Sequence, residues 1–280
     1  MKILLAGSGD IAQRIPSKMT SQEQFFGLKR HPKNLPNDII PLIGDLTDAD
    51  CLDLLFLEGF DVVVATLTPD SATEEGYQKA YVDAAATLSL AIKNADHKPK
   101  LVIWVSSTSV YGQSAGSWVD EDSLAKPVSF SGRALLQAEQ HMVALPCTTV
   151  VVRFSGIYGP GRTRLLDQVL AGVGRPAQPE QWSNRIHSED CAGVIAHLIR
   201  LNEKQVPLST LYLATDCEPV TQYELRGWLA AHLDVSLVEK YTKQRSSRRC
   251  SNKKLLDSGY RFIFPTYREG YLALIEQLKE

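Results

Sequence analysis

Short apolar runs separated by helix-like stretches dominate the first half of the chain. Each run is nearly continuous in Val, Ile and Leu, which is typical of strands buried on both faces of a parallel sheet. The predicted strands are "KILLA" (2–6), "QFFGL" (24–28), "IIPLI" (39–43), "DVVVAT" (61–66), "LVIWVS" (101–106) and "TTVVVRF" (148–154). Between them the pattern predicts helices, most clearly over 74–95 and 132–145. This alternation predicts right-handed crossovers and an α/β fold with a doubly wound parallel sheet.

The alternation stops after residue 154, where the chain becomes rich in Gly, Pro and Arg. A predicted helix at 188–200 and a predicted strand at 210–215 then return to the sheet. We therefore expect one sheet-containing domain and a smaller, discontinuous C-terminal lobe that binds substrate. The predicted bounds are 1–155 for the first domain, with its sheet completed by about 186–215, and about 156–185 and 216–280 for the lobe.

The turn after the first strand carries a dinucleotide-binding pattern. "LLAGSGDIAQRI" places Gly7, Gly9 and Ala12 in the spacing G-x-G-x-x-A. Such glycines permit a tight turn and a close approach of backbone N–H groups to a pyrophosphate, and the small third residue lets helix and strand pack closely. Packing alone also favours glycine here, but the position in the first strand–helix unit favours an NAD(P)-binding Rossmann domain. The expected cofactor contacts are Gly7, Gly9, Asp10, Ile11, Ala12, Lys29, Arg30, Asp45, Leu46 and Thr66.

The residues at the end of the second strand indicate which dinucleotide binds, NAD or NADP. An NAD site usually has an acidic residue there, whereas "GLKRHPK" supplies Lys29 and Arg30. A cationic pair suits a 2′-phosphate, so NADP is the predicted cofactor and NAD is the alternative. The other interpretation of Lys29 and Arg30 is that they are solvated surface charges. In "GDLTD", Asp45 and Leu46 follow the third strand, where the adenine is expected. Asp45 either accepts a hydrogen bond from the adenine amino group or caps the next helix.

Composition narrows the class of protein. A formal net charge of −2 argues against nucleic acid or a membrane surface as the partner. The five cysteines form no C-x-x-C pair, as expected for reduced thiols in a cytoplasmic protein. The apolar run Ile3–Ala6 is too short for a signal sequence or a membrane span. The histidines share no ligand spacing, so no metal site is predicted.

Several motifs together resemble one protein family. In order along the chain they are "GSGDIA", "GDL", "SSTSVYG", "VVRFSGIYGPGR", "RIHSEDCAGVI" and "FPTYREG". This order resembles the extended short-chain dehydrogenase/reductases, the NAD-dependent sugar-nucleotide epimerases and dehydratases, from residue 2 to about 275. The resemblance implies a nicotinamide cofactor, reversible hydride transfer, and a lobe that often accepts nucleoside-diphosphate sugars. It also implies a homodimer through the helices 74–95 and 132–145, although packing on the sheet satisfies the same pattern.

The resemblance also assigns catalytic positions, and the chain departs from them. Ser107, four residues ahead of Tyr111, corresponds to the serine that hydrogen-bonds the reacting oxygen. The family's Tyr-x-x-x-Lys pair, aligned on Glu139, falls on Ser131 and Leu135, and no tyrosine in the chain is followed four residues later by lysine. The chain therefore resembles the atypical branch of the family, which keeps the cofactor loop and lacks this acid–base pair. Ser131 is expected to cap its helix instead.

Two residues are candidates to replace the missing pair. Tyr158 follows the "VVRF" strand at the edge where the nicotinamide is expected, and His187 belongs to a residue type that titrates near neutral pH. The alternatives are a packing role for Tyr158 and a loop-bracing role for His187.

Arginines suit the phosphate groups of the expected substrate. Those that cluster in sequence around the expected substrate side are Arg153, Arg162, Arg164 and Arg175, and the alternative for each is a surface charge or an ion pair. The basic stretch 240–254 is interpreted as a solvated face in which Arg248 or Arg249 contacts a diphosphate. Two hypotheses result: an NAD(P)-dependent oxidoreductase or epimerase-like enzyme with non-standard acid–base groups, or a non-catalytic NAD(P)-binding protein whose conformation a partner reads.

Overall fold

A computed structural model describes residues 1–20, 22–241 and 247–277 of the chain. Its strands are β1 (Lys2–Ala6), β2 (Gln24–Lys29), β3 (Ile39–Ile43), β4 (Val62–Ala65), β5 (Leu101–Ser107), β6 (Ser117–Val119), β7 (Thr148–Phe154), β8 (Gly156–Tyr158), β9 (Val173–Gly174), β10 (Trp182–Ser183), β11 (Arg185–His187), β12 (Leu211–Ala214), β13 (Val220–Thr221), β14 (Val238–Glu239) and β15 (Arg248–Cys250). Its α-helices are α1 (Asp10–Arg14), α2 (Ala49–Phe56), α3 (Glu74–Tyr77), α4 (Ala84–Asn94), α5 (Phe130–Val143), α6 (Arg164–Leu170), α7 (Ser188–Glu203), α8 (Gln222–Leu233), α9 (Lys253–Asp257) and α10 (Tyr267–Gln277).

A seven-stranded parallel sheet in the order β12-β7-β5-β4-β1-β2-β3 organises the fold. β1 lies between β2 and β4, so that Leu4 pairs with Phe26 on one side and with Val63 on the other. Leu4 and Val63 have no exposed surface, which is what continuous apolar runs achieve when helices cover both faces. The predicted doubly wound α/β fold is confirmed.

The predicted helices are present, with differences at their ends. The stretch predicted as one helix over 74–95 consists of α3, a π-helical segment at Gln78–Asp83, and α4. Helix α5 begins at Phe130 because the Ser129 hydroxyl accepts a hydrogen bond of 3.1 Å from the Gly132 N–H and so caps the helix. The prediction that Ser131 is the N-cap was therefore wrong by two residues, since Ser131 already lies inside the first turn.

The chain divides into two compact units. The first comprises Met1–Val110, Pro127–Arg153 and Ala192–Tyr212, and the second comprises Tyr111–Lys126, Phe154–Cys191 and Leu213–Glu280. In the first unit, helix and sheet residues such as Leu88, Trp104 and Met142 share a fully buried core. The second unit has its own core, formed by α6, α8 and α10. Across the described residues, no helix is long and apolar enough to cross a bilayer.

Candidate functional site

A cavity of about 510 Å³ opens in the first unit where four neighbouring strands end. Its walls come from the turn after β1, the ends of β2, β3 and β4, and the helical segment that begins at Thr73. The carboxyl edge of a parallel sheet is where doubly wound folds bind ligands. Of the predicted cofactor residues, those that line this cavity are Gly7, Gly9, Lys29, Arg30, Asp45, Leu46 and Thr66.

The two glycines of the loop have different roles. Gly7 has φ +86°, and a Cβ there would lie 2.7 Å from the Thr66 carbonyl oxygen, so the fold itself requires glycine. A Cβ on Gly9 would meet no atom within 4 Å, although Gly9 lines the cavity. Glycine at position 9 therefore keeps cavity space open and does not relieve a clash.

The other three loop residues do not line the cavity. Asp10 forms an ion pair of 2.8 Å with Arg14, one helical turn later. Ile11 is 6% exposed, and Ala12 is fully buried, as expected for the small residue between helix and strand. These three residues therefore support the conformation of the loop and do not contact the cavity directly.

The Asp45 carboxylate is fixed by hydrogen bonds from Thr47, two residues later in the chain. Its Oδ1 accepts hydrogen bonds from the Thr47 N–H at 3.0 Å and the Thr47 hydroxyl at 2.9 Å. Partial burial raises the pKa of this carboxyl, but the two hydrogen bonds and the charges of Lys79 and Arg30 outweigh it and lower the pKa overall. The residue that caps α2 is Asp48, which accepts from the Cys51 N–H, so the helix-capping alternative for Asp45 was wrong.

The cavity wall also contains charged residues that the motifs did not indicate. Asp70, Glu75 and Lys79 come from the segment after β4 and the following helical turns. Asp70 forms a bidentate ion pair with Arg30. No sequence motif identifies these residues, because tertiary packing decides which parts of the segment after β4 line the cavity.

Ser107 lies at the end of β5 and is half-buried. Its Oγ accepts a hydrogen bond of 3.1 Å from the Ser109 N–H, which leaves the hydroxyl proton available to a further acceptor. On α5, Ser131 shares a hydrogen bond with Ser129, and Leu135 is 4% exposed. Neither position offers a phenol or an ammonium group.

A buried polar cluster joins β5, α5 and β7 in the first unit. The Glu139 carboxylate receives Arg153 Nη2 at 2.6 Å and Nε at 3.0 Å, together with the Ser106 hydroxyl at 2.5 Å. Glu139 and Arg153 are 5% and 6% exposed. For Arg153 the structure shows the ion-pair alternative, because its guanidinium neutralises Glu139 inside the first unit.

A second cavity, of about 680 Å³, lies within the second unit. None of its described lining residues is Asp or Glu. The arginines that line it are Arg162, Arg164, Arg175, Arg185 and Arg226. A concave surface lined by several guanidinium groups attracts phosphates and carboxylates, so this cavity suits an anionic ligand.

The arginines of this cavity are held in different ways. Arg226 is 3% exposed and donates to the Val173 carbonyl at 2.8 Å and to Gln168 Oε1 at 2.7 Å. Burial lowers the pKa of Arg226 to about 10, so it stays charged at neutral pH. Arg175 donates to backbone carbonyls, and the buried Nε of Arg185 has no hydrogen-bond partner among the described residues.

The basic stretch 240–254 is exposed at Lys240, Tyr241 and Lys253 but buried or half-buried over 248–250. Residues 242–246, which include Arg245, lie outside the described residues. Arg248 is 9% exposed in β15, and the Arg249 guanidinium lies between the rings of Trp118 and Trp182 at 4.9 and 4.8 Å. The solvated-face interpretation was therefore wrong for 248–250, where Arg249 is held by aromatic stacking.

Tyr158 and His187 belong to a buried aromatic group. Tyr158 is 2% exposed, stacks on Tyr271 with ring centroids 4.2 Å apart, and meets the edge of His187 at 5.3 Å. Burial, reinforced by the charge of Asp216, raises the pKa of Tyr158 far above its usual range. His187 is 3% exposed, and its Nδ1 accepts from the Glu189 N–H at 3.2 Å.

Asp190 and Asp216 are two buried carboxyls near this group. Asp190 accepts hydrogen bonds from the Tyr260 hydroxyl and from the N–H groups of Ile263 and Phe264. Asp216 is 2% exposed, and its Oδ2 has no partner among the described residues. Burial raises the pKa of Asp216 to about 8, so this carboxyl is largely protonated at neutral pH.

The sheet, the glycine loop and the strand-end cavity define an extended short-chain dehydrogenase/reductase of the epimerase/dehydratase type. The chain belongs to the family described as the RmlD substrate binding domain, which it matches over residues 1–251. Sequence and structure lead to the same class, although the Tyr-x-x-x-Lys pair is absent.

Three similar proteins illustrate the range of relatives. Protein YeeZ of Escherichia coli K12 is 34% identical over 154 residues, which are 55% of this chain and 53% of YeeZ, so the match spans about half the length of that relative. A candidate NAD-dependent epimerase/dehydratase from Methylobacillus flagellatus is 34% identical, with a TM-score of 0.85 over 100% of this chain and 99% of the other. MoeE5 in complex with UDP-glucose and NAD is 21% identical, with a TM-score of 0.78 and coverages of 100% and 99%, and shares the fold.

Proposed function

We propose that the protein is an NADP-dependent oxidoreductase or epimerase-like enzyme that acts on a nucleoside-diphosphate sugar or a related anionic substrate. The observation that carries this proposal is the first unit's cavity, whose glycine loop and strand ends provide a cradle for a dinucleotide. Within it, Gly9 leaves room for the pyrophosphate, Asp45 and Leu46 face the adenine, and Lys29 and Arg30 favour a 2′-phosphate. A bound nicotinamide supplies hydride transfer.

The substrate side of the proposal rests on the second unit. Five arginines without a lining carboxylate suit a diphosphate, and the sugar nucleotide bound by MoeE5 is of that kind. Ser107 would donate its hydroxyl proton to the substrate oxygen that changes charge during hydride transfer. The general acid–base role falls to a group other than the family's tyrosine, because position 131 carries serine.

The first experiment is a fluorescence titration of the purified protein with NADPH and, separately, with NADH. We expect micromolar or tighter binding that favours NADPH. Gly9→Ala is the matched variant, because a Cβ there meets no protein atom within 4 Å but reduces the space in the cavity. We expect Gly9→Ala to unfold at the wild-type temperature and to bind NADPH roughly tenfold more weakly, a change of about 1.4 kcal/mol.

Three results of this titration contradict parts of the proposal. Failure of both nucleotides to bind contradicts the dinucleotide function, and stronger binding of NADH contradicts the NADP assignment alone. Unchanged affinity in Gly9→Ala contradicts the placement of the dinucleotide in this cavity.

A non-catalytic NAD(P)-binding function is the second candidate. The observation that favours it is α5, where Ser131 and the buried Leu135 occupy the positions of the acid–base pair. Turnover separates the two candidates: an enzyme oxidises NADPH in the presence of a carbonyl compound or a sugar nucleotide and loses rate in Ser107→Ala. Nucleotide binding without turnover on any such substrate would support the non-catalytic candidate.

A further inference from the structure

The Arg30–Asp70 ion pair occupies the part of the cavity wall where a 2′-phosphate is expected. Arg30 follows β2, and Asp70 lies five residues beyond the end of β4. Arg30 Nη2 lies 2.6 Å from Asp70 Oδ1, and Arg30 Nη1 lies 2.8 Å from Asp70 Oδ2. Two parallel N–H···O bonds of this kind are also how a guanidinium holds a phosphate. The Asp70 carboxylate therefore accepts hydrogen bonds from the same guanidinium N–H groups that would bind a phosphate monoester.

The Arg30–Asp70 ion pair is exposed enough for a ligand to replace Asp70 as the partner of Arg30. The side chains of Arg30 and Asp70 are 49% and 65% exposed. An ion pair this exposed contributes little to stability, because water already solvates both partners. A phosphate monoester carries more negative charge than a carboxylate and has three acceptor oxygens, so it competes well for the same guanidinium.

Asp70 also acts on the other cations of the wall. Lys79 and Arg30 both interact with the carboxylate of Asp70, and both interact with Asp45. The residues that line this cavity thus include three cations and three carboxylates: Lys29, Arg30 and Lys79, and Asp45, Asp70 and Glu75. Removing the Asp70 carboxylate frees the Arg30 guanidinium, which can then pair with the charged 2′-phosphate of NADP but finds no charged group in the 2′-hydroxyl of NAD.

We propose that Asp70 is a specificity-determining residue that competes with the cofactor's 2′-phosphate for Arg30 and so limits the preference for NADP over NAD. The inference rests on the proposed dinucleotide function of this cavity. Asp70 keeps Arg30 partnered when no phosphate is present, and a 2′-phosphate must displace it. The chain is therefore less selective for NADP than Lys29 and Arg30 alone would make it.

The test compares the dissociation constants of NADPH and NADH, measured by nucleotide fluorescence, in wild type and in Asp70→Asn. We expect Asp70→Asn to tighten NADPH binding about five- to tenfold and to change NADH binding less than about twofold. Glu75→Gln is the matched control, since it removes another carboxylate of the wall that has no ion pair with Arg30. We expect the NADPH/NADH ratio to be unchanged in this control.

A second comparison isolates the competition for Arg30. In an Arg30→Ala background the gain from Asp70→Asn should shrink to less than about twofold, because the contested guanidinium is gone. An unchanged ratio in Asp70→Asn, an equal gain for both nucleotides, or weaker NADPH binding would each overturn the inference while the dinucleotide function stands. Absence of binding by either nucleotide in wild type and all variants would instead overturn the proposed function, and this inference with it.

Discussion

The two units differ in how their charges are balanced. In the first unit the buried guanidinium of Arg153 meets Glu139, and Arg30 on the cavity wall meets Asp70. In the second unit a cavity carries five arginines without a lining carboxylate. The buried carboxyl of Asp216 there has one oxygen without a hydrogen-bond partner among the described residues.

This difference separates the buried Glu139–Arg153 pair of the first unit from the arginine-lined surface of the second unit. Charges that meet inside the protein stabilise one arrangement of helices and strands and leave recognition to shape and backbone. Several arginines that line one cavity attract a bound anion, and a buried carboxyl whose oxygen lacks a hydrogen-bond partner among the described residues favours a bound proton. We therefore expect substitutions in the first unit's buried ion pair to change mainly stability, and those in the second unit's cavity to change mainly ligand affinity.

The largest effect is expected for Glu139→Ala. Removing this carboxylate leaves Arg153 charged and buried with its main partner lost, which typically costs about 3–5 kcal/mol of unfolding free energy. Chemical denaturation measures the loss. Arg133→Ala is the control on the same helix, because its ion pair with Glu74 is exposed, and we expect a change within about 0.5 kcal/mol. A loss below about 1 kcal/mol in Glu139→Ala would show that the buried pair does not hold the first unit.

The next effect concerns the arginine cavity. We expect Arg164→Ala combined with Arg175→Ala to weaken UDP-glucose binding about 10- to 100-fold, because two of the five lining cations are lost. Isothermal titration calorimetry measures the affinity, and Lys253→Ala, an exposed cation paired with Asp257, is the control. Raising the salt concentration should weaken UDP-glucose binding more than NADH binding. Equal affinities in the double variant and the control would show that this cavity does not recognise the diphosphate.

The third effect is a pH dependence that comes from Asp216. Burial raises its folded-state pKa from 3.8 to about 8, so the native state holds a proton that the unfolded chain releases. The resulting stability is complete below about pH 4 and is lost as the pH rises towards 8. Asp216→Asn cannot ionise, so we expect its Tm to fall less than that of wild type between pH 5 and pH 9.

Thermal unfolding of wild type and Asp216→Asn across pH 5–9 measures this effect. Tyr158→Phe is the control, because it removes another buried oxygen without a partner whose group does not titrate in this range. The control should keep the wild-type pH slope. The same slope in Asp216→Asn would show that Asp216 is ionised in the folded protein.

Local features of the sequence identified several residues that line the strand-end cavity of the first unit. Gly7 stands where a positive φ and a close carbonyl oxygen require glycine, Gly9 leaves cavity space open, and Thr66 follows a fully apolar strand. Asp70 escaped prediction because it lies 40 residues from Arg30, and no periodicity connects a strand end to a loop that far along the chain. Arg185 and Arg226 escaped for the same reason, since an arginine in the second cavity resembles any surface arginine in sequence.

The sequence by itself determined the parallel sheet, the glycine turn and the absence of the tyrosine–lysine pair. Each depends on local facts: continuous apolar runs, residues that tolerate positive φ, and residue identities four positions apart. The tertiary structure alone decided which partner each charge has, and so separated the buried Arg153 from the arginines of the second cavity. The physical reason is that ion pairs form over a few ångströms between residues from distant segments, and only the packing of those segments brings them together.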